Sequence, residues 1–231
     1  MRVQIYTMQS PDEALQVIGA GAHHIGITPS ERGLPGEVSF ETARAIVEAV
    51  GTQALRIALT VESDPALIIN MARAVQPDMI HLCPLRGTFP PDQVAALRAE
   101  LPGMLIMQAI AVGGAETREQ ALSDARAFEP VADMLILDTQ APQIEGIGAS
   151  GKVHDWTISR EIVETVRIPV ILAGGLSLFN IGTAIRAVRP YGVDSLTHTN
   201  QPIPGGGFRK DILKVQRFAG AAREASKAFE S

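Results

Sequence analysis

A single (β/α)₈ barrel is the fold this sequence predicts, and three observations predict it. Eight short runs of apolar, often β-branched residues alternate with eight segments of helical period along 231 residues. The runs are nearly continuously apolar, as strands covered on both faces of a parallel sheet are. The length suits one barrel domain spanning 1–231, since such barrels run to roughly 200–250 residues. An open doubly wound sheet fits less well. A dinucleotide-binding version carries G-x-G-x-x-G after its first strand, and the turn here reads Tyr6-Thr7-Met8-Gln9-Ser10, without glycine.

Each element has a local reason. Strand one falls at 2–6 (RVQIY), and the helix at 11–20 opens on Ser10-Pro11-Asp12-Glu13, a capping box with proline in its first turn. Strand two is 23–27 (HHIGI), and helix 40–50 runs from Ser39 to Gly51, a residue free to take the positive φ of a helix end. Strand three covers 55–61 (LRIALTV), and Ser63-Asp64 before Pro65 opens helix 64–75. Strand four is 79–83 (MIHLC), with helix 91–101 ending near Gly103. Strand five, 104–110 (MLIMQAI), leads to a second capping box, Thr117-Arg118-Glu119-Gln120, on helix 117–128. Strand six (134–138, MLILD) precedes helix 158–166, and strand seven (169–173, PVILA) precedes helix 178–189. Gly192 stands where another left-handed cap is expected, ahead of strand eight (192–196, GVDSL) and the last helix, 208–228. The longest connections are 139–157 and 197–207, and long loops in compact domains are usually functional.

Composition narrows the partners. Twenty Lys and Arg against 25 Asp and Glu leave a net charge of −5. That argues against a nucleic-acid footprint, which needs a basic face, and against docking on anionic membranes. A lone cysteine, Cys83, excludes an intrachain disulfide and a Cys-rich zinc site. No apolar run reaches the ~20 residues of a membrane helix, and the N-terminal residues lack a signal-peptide pattern. The expectation is a cytoplasmic protein, monomer or homodimer, acting on a small molecule.

In such barrels the chemistry sits at the C-terminal ends of the strands. Those ends carry Tyr6 and Thr7, Thr28, Thr60 and Glu62, Cys83, Gln108, Asp138, Ala173-Gly174-Gly175, and Asp194 to His198. Asp138 closes a purely apolar run, where a poorly solvated charge is costly without a partner. Its bland reading is a cap or a salt bridge to a loop residue such as Lys152; its functional reading is a catalytic group, as strand-end residues on this face usually are. Gly174-Gly175 is either a tight turn or an anion cup, phosphate sites in these barrels often following strands seven and eight. Gly205-Gly206-Gly207 reads equally as a phosphate-contacting lid or a plain connector. His23 and His24 are adjacent in a strand and point to opposite faces. His81, Cys83 and His198 are the one conceivable metal set, but no ligand-type spacing supports a metal. Cys83 is a thiolate candidate whose bland reading is a small buried hydrophobe.

One block is specific. Leu137-Asp138-Thr139-Gln140-Ala141-Pro142, then Gly148-Ala149-Ser150-Gly151-Lys152-Val153-His154-Asp155-Trp156, resembles the strand-six region of phosphoribosylanthranilate isomerase, where an LLD run leads to G-G-x-G-x-x-F-D-W. Leu172 to Leu176 with Asn180, Gly192-Val193-Asp194 and Lys210-Asp211 fit as well. The resemblance implies a cofactor-free Amadori rearrangement of a phosphoribosyl amine, without a metal. It implies that Asp138 protonates the ring oxygen, that Asp194 aids substrate binding, and that Arg32 contacts substrate from the loop after strand two. Gly174, Gly175, Thr197 and His198 fall in the substrate-binding, phosphate-side region.

The departures are pointed. The family's strand-one K-I-C-G-[IL]-T reads Gln4-Ile5-Tyr6-Thr7-Met8-Gln9, so Tyr6 replaces the cysteine that takes the C2 proton. Strand-four Q-L-H-G reads His81-Leu82-Cys83-Pro84, and strand-eight S-S-G-V-E reads Leu196-Thr197-His198-Thr199-Asn200. A tyrosine near its ordinary pKa of ~10 is ionised about one part in a thousand at pH 7. The candidate acid is therefore Asp138, with Tyr6 or Cys83 as substitute base. The reading favoured here is a diverged isomerase acting on a related sugar-phosphate-like substrate. The alternatives are the original isomerase of tryptophan biosynthesis with a substitute base, and a non-catalytic ligand-binding barrel.

Overall fold

In the computed structural model, which describes residues 1–113, 117–139 and 153–229, eight parallel strands close into a ring in chain order. They are β1 (Arg2–Ile5), β2 (His24–Ile27), β3 (Leu55–Thr60), β4 (Met79–Leu82), β5 (Leu105–Ala111), β6 (Met134–Asp138), β7 (Val170–Leu172) and β8 (Gly192–Ser195). Closure is made by β1, which pairs with β2 (Gln4 opposite His24) and with β8 (Gln4 opposite Asp194). Helices α1 (Pro11–Gly19), α2 (Phe40–Val50), α3 (Pro65–Val75), α4 (Pro91–Glu100), α5 (Arg118–Phe128), α6 (Trp156–Thr165), α7 (Ile181–Val188) and α8 (Ile212–Ser226) wrap it. No helix among the described residues is long and apolar enough to cross a membrane.

Side chains alternate along each strand, so the core divides in two. Outward residues such as Ile5, Ile25, Ile80, Ile110 and Leu135 pack under the helices. Inward residues Ile57, Met79, Met107, Ala109, Ile136 and Ile171 fill the barrel. Polar residues interrupt that inner filling: Gln4 and His24 meet at 3.3 Å, while His23 stands outside β2 and accepts from the Val3 N–H at 3.1 Å. The alternation that fills the lower barrel also aims Asp138, two residues after Ile136, and Asp194 into the upper mouth.

The helix starts follow the local chemistry, with corrections. Thr117 and Gln120 form the reciprocal capping box. Ser10 caps α1, but its box is half closed. The Glu13 carboxylate reaches the Gln9 N–H at 2.9 Å and the Lys210 N–H at 2.7 Å, so it ties α1 to the far end of the chain. Gly51 takes a positive φ after α2. Gly192 does not; it opens β8 where a Cβ would stand 2.6 Å from Ile171. The left-handed residue after α7 is Arg189. The pattern that predicts a helix from 208 is overruled as well. Asn200–Pro202 and Phe208–Lys210 pair as an antiparallel hairpin, β9 and β10, turned by the three glycines 205–207, all at positive φ. Helix α8 then starts only after Asp211, which caps it.

Candidate active site

Six of the residues singled out from the sequence meet at the C-terminal mouth. Asp138, at the end of β6, and Asp194, on β8, line one pocket. Its remaining walls are the turn Gly174 to Leu176 after β7 and the segment Ser195 to His198 after β8. The strands deliver the carboxylates, and the two following loops deliver backbone.

The β7 turn has no room for side chains. Gly174 holds φ +80°, and a Cβ there would lie 2.7 Å from His154 Nδ1 and 2.8 Å from Thr139 Oγ1. Gly175 follows at φ +62°. Asn180 staples this turn: its Nδ2 donates to the Gly175 carbonyl at 3.0 Å, and its Oδ1 accepts from the Ser177 N–H at 2.8 Å. Ser195 Oγ donates to the Leu176 carbonyl at 3.2 Å and locks the two loops together. Backbone turns of this kind, rich in positive φ, form concave anion sites.

Both carboxyls are biased toward the protonated form. Burial pushes Asp138 up to about 7, against the pull of the Thr139 N–H, which donates to Oδ1 at 2.7 Å. Burial and then the neighbouring Asp138 charge push Asp194 up to about 8. Asp194 is 7% exposed, and its Oδ1 makes no hydrogen bond of ordinary geometry among the described residues. Two carboxyls so placed titrate as a pair, and near neutral pH the pair retains a proton. Such a site can give a proton to one substrate atom and accept one from another.

The other candidates stand elsewhere. Tyr6 lies in the barrel filling, 3% exposed, its hydroxyl 2.9 Å from His81 Nδ1. Burial first, then the charges of Asp194 and Cys83, hold its pKa well above the ordinary phenol value. Its ring lies against the backbone of Gly26, where a Cβ would stand 2.1 Å from Cδ1. Cys83 belongs to the same inner cluster and is 2% exposed. Arg32, on the loop after β2, forms a salt bridge to Glu62 at 2.8 Å and is not part of the pocket wall. Among the described residues no three His, Cys, Asp or Glu side chains are grouped to hold a metal. Residues 140 to 152, including Lys152 and most of the quoted block, lie outside the described residues.

Two residues that the sequence reading names without a role stand near the site. Lys210, from β10, is 3% exposed and donates from Nζ to the Tyr6 carbonyl and, at 2.5 Å, to Asn200 Oδ1. Burial lowers its pKa to about 7 against the attraction of Glu13 and Asp194. The other is His154, which bridges Thr139 Oγ1 at 3.0 Å and Ser159 Oγ at 2.7 Å, fastening the end of β6 to α6. The Lys-Asp pair after a glycine turn is a visible signal for Lys210.

The family model for N-(5'phosphoribosyl)anthranilate (PRA) isomerase matches residues 3–197. A relative with that isomerase name from Methanocella arvoryzae is 36% identical over 218 residues, covering 94% of this chain and 95% of the relative. The crystal structure of phosphoribosyl anthranilate isomerase from Thermotoga maritima superimposes with TM-score 0.79 at 26% identity, covering 97% of this chain and 99% of that one. Another structure of the isomerase, at TM-score 0.76 and 23% identity over 97% of this chain and 99% of its own, holds reduced 1-(o-carboxyphenylamino)-1-deoxyribulose 5-phosphate.

Proposed function

This chain belongs to the N-(5'-phosphoribosyl)anthranilate isomerase family of tryptophan biosynthesis, an aldose–ketose isomerase family, and on that premise we propose that it isomerises N-(5'-phosphoribosyl)anthranilate itself. The reaction opens the furanose ring and moves the oxidation level from C1 to C2. The product is the ketose whose reduced form is bound by the relative described above. The observation that carries the proposal is a protonatable carboxyl, Asp138, in one pocket with the Gly174–Gly175 turn. In it, the turn and the start of the segment after β8 receive the phosphate, and Asp138 gives its proton to the ring oxygen as the C1–O bond breaks. An acid with a pKa near the working pH suits that step.

A changed substrate, the reading the sequence favours, has less support. Relatives that share about a third of their residues over their full length carry the isomerase name. The altered phosphate wall is also less damaged than its letters suggest. Leu196 removes a hydroxyl, but His198 adds an imidazole at the pocket rim that can donate to the same anion.

Steady-state conversion of freshly generated N-(5'-phosphoribosyl)anthranilate, followed by chromatography of the ketose, tests the reading. Expected is kcat/KM of about 10⁴ M⁻¹s⁻¹ or more, the range of ordinary enzymes. No conversion above the buffer rate overturns it.

A further inference from the structure

We propose that Asp194 is the base that takes the C2 proton, so that Asp138 and Asp194 together carry both proton transfers of the isomerisation. This rests on the reaction proposed above and names the group it leaves open.

Position is the first support. The base of this chemistry must reach the carbon next to the one whose ring oxygen Asp138 protonates. Asp194 shares the pocket with Asp138, and neither Tyr6, His81 nor Cys83 lines it. Asp194 also stands on the strand hydrogen-bonded to β1, opposite Gln4, two residues before Tyr6. It is therefore the carboxylate of the strand neighbouring the one where the family resemblance expects a cysteine.

Hydrogen bonding is the second. The Tyr6 hydroxyl is engaged by His81, and its ring is wedged over Gly26. Asp194 Oδ1, by contrast, is a buried acceptor with no hydrogen bond of ordinary geometry among the described residues, although the Gln4 side chain is close enough to favour its charge. An unpaired buried acceptor is costly to stability, and sites of this kind keep such groups for a ligand. Here the ligand is the C–H that must be broken. Buried Lys210, anchored on the Tyr6 carbonyl and Asn200, attracts the Asp194 charge when protonated and then supports its ionised form.

The proton balance closes within the pair. The reacting state holds the pair's one proton on Asp138 and leaves Asp194 ionised; this is the less populated of the two arrangements, since Asp194 holds a proton more tightly, and the bound substrate draws the proton to Asp138. Asp138 gives its proton to the ring oxygen, the C1–O bond breaks, and an iminium forms between C1 and the anthranilate nitrogen. Asp194 removes the proton from C2, and the C2–H electron pair becomes the C1=C2 bond of an enolamine while the nitrogen recovers its lone pair. The enolamine tautomerises to the aminoketose, losing its hydroxyl proton and gaining one at C1. Transfer of a proton from Asp194 to Asp138 restores the starting state, with nothing consumed.

The test compares wild type, Asp194→Asn, Asp194→Glu and Asp194→Ala, with substrate carrying hydrogen or deuterium at C2. Asparagine keeps the shape without the charge, so KM should stay within about threefold while kcat falls about 10²–10⁴-fold, the loss of a positioned base. Deuterium at C2 should slow Asp194→Asn more than wild type, Asp194→Glu should recover part of the rate, and added formate should rescue Asp194→Ala. A role in binding alone predicts a raised KM at unchanged kcat, and that result overturns the assignment. So does an Asp194→Asn kcat within threefold of wild type, or a folded Asp194→Ala protein that formate leaves inactive. Wild type that does not convert the substrate at all overturns the parent reading, and this one with it.

Discussion

Replacing Asp138 by asparagine should abolish turnover and make the protein more stable. The carboxyl is raised from its ordinary 3.8 to about 7, chiefly by burial. At about 1.4 kcal/mol per pH unit, ionising it in the folded protein costs up to about 4 kcal/mol more than in the unfolded chain. The sign follows from linkage. Below pH 3.8 both states are protonated and nothing is lost. As pH rises toward 7 the unfolded chain ionises while the fold holds its proton, so stability falls; above 7 the loss is complete. Asparagine has no such loss, and its oxygen can still accept from the Thr139 N–H. Solvent reaching Asp138 through the pocket lessens the effect, so about 2 kcal/mol at pH 8.5 is expected. For a chain of this size that is a rise of roughly 4–8 °C in Tm. Scanning calorimetry of wild type and Asp138→Asn at pH 5.0 and 8.5 measures it, with activity assayed on the same samples. The gain should be larger at pH 8.5. A lower Tm for the mutant at both pH values would refute the reasoning, because it would mean the carboxylate is held ionised by a cation.

Two further outcomes follow from the same structure. A pair that acts with one proton between its members predicts a bell-shaped pH dependence of kcat/KM, falling below about 7 as the second proton binds and above about 8 as the last is lost; a profile flat from pH 5.5 to 9.5 in buffer-matched kinetics contradicts it. Gly26→Ala drives a methyl group into the Tyr6 ring, which the hydroxyl contact with His81 holds in place, and should cost about 3 kcal/mol or more in urea unfolding; in a Tyr6→Cys background the same change should cost less than 1 kcal/mol, and additivity of the two substitutions would be the contrary result.

Asp138 and the Gly174–Gly175 turn are legible from the letters alone. Each sits directly after an apolar run, and the end of a parallel strand is where such a barrel places its chemistry. Asp194 carries a weaker signal, because Gly192-Val193-Asp194-Ser195-Leu196 does not say which face the carboxylate takes until the register with β1 is known. Tyr6 misleads for a related reason. At a strand end it reads as a reactive group, yet its partner His81 is 75 residues away and its clearance comes from a glycine in the middle of β2. That glycine is a clue in retrospect, since Gly inside a strand often marks a close approach. The β9–β10 hairpin is hidden because Phe208 to Lys210 continues the polar–apolar pattern of the helix after it, and only pairing with Asn200 to Pro202 separates the two.

By itself, the order of residues determined eight βα units, most of their caps and the strand ends where the reactive groups lie, because period, capping and turn preference act over a few residues. The barrel's closure decided the rest. It brought Asp138 and Asp194 into one pocket, turned Tyr6 away into the filling, and set Lys210 on the carbonyl of a residue 204 positions earlier. Burial and mutual repulsion, which give the two carboxyls their proton affinity, exist only once strands distant in sequence stand side by side.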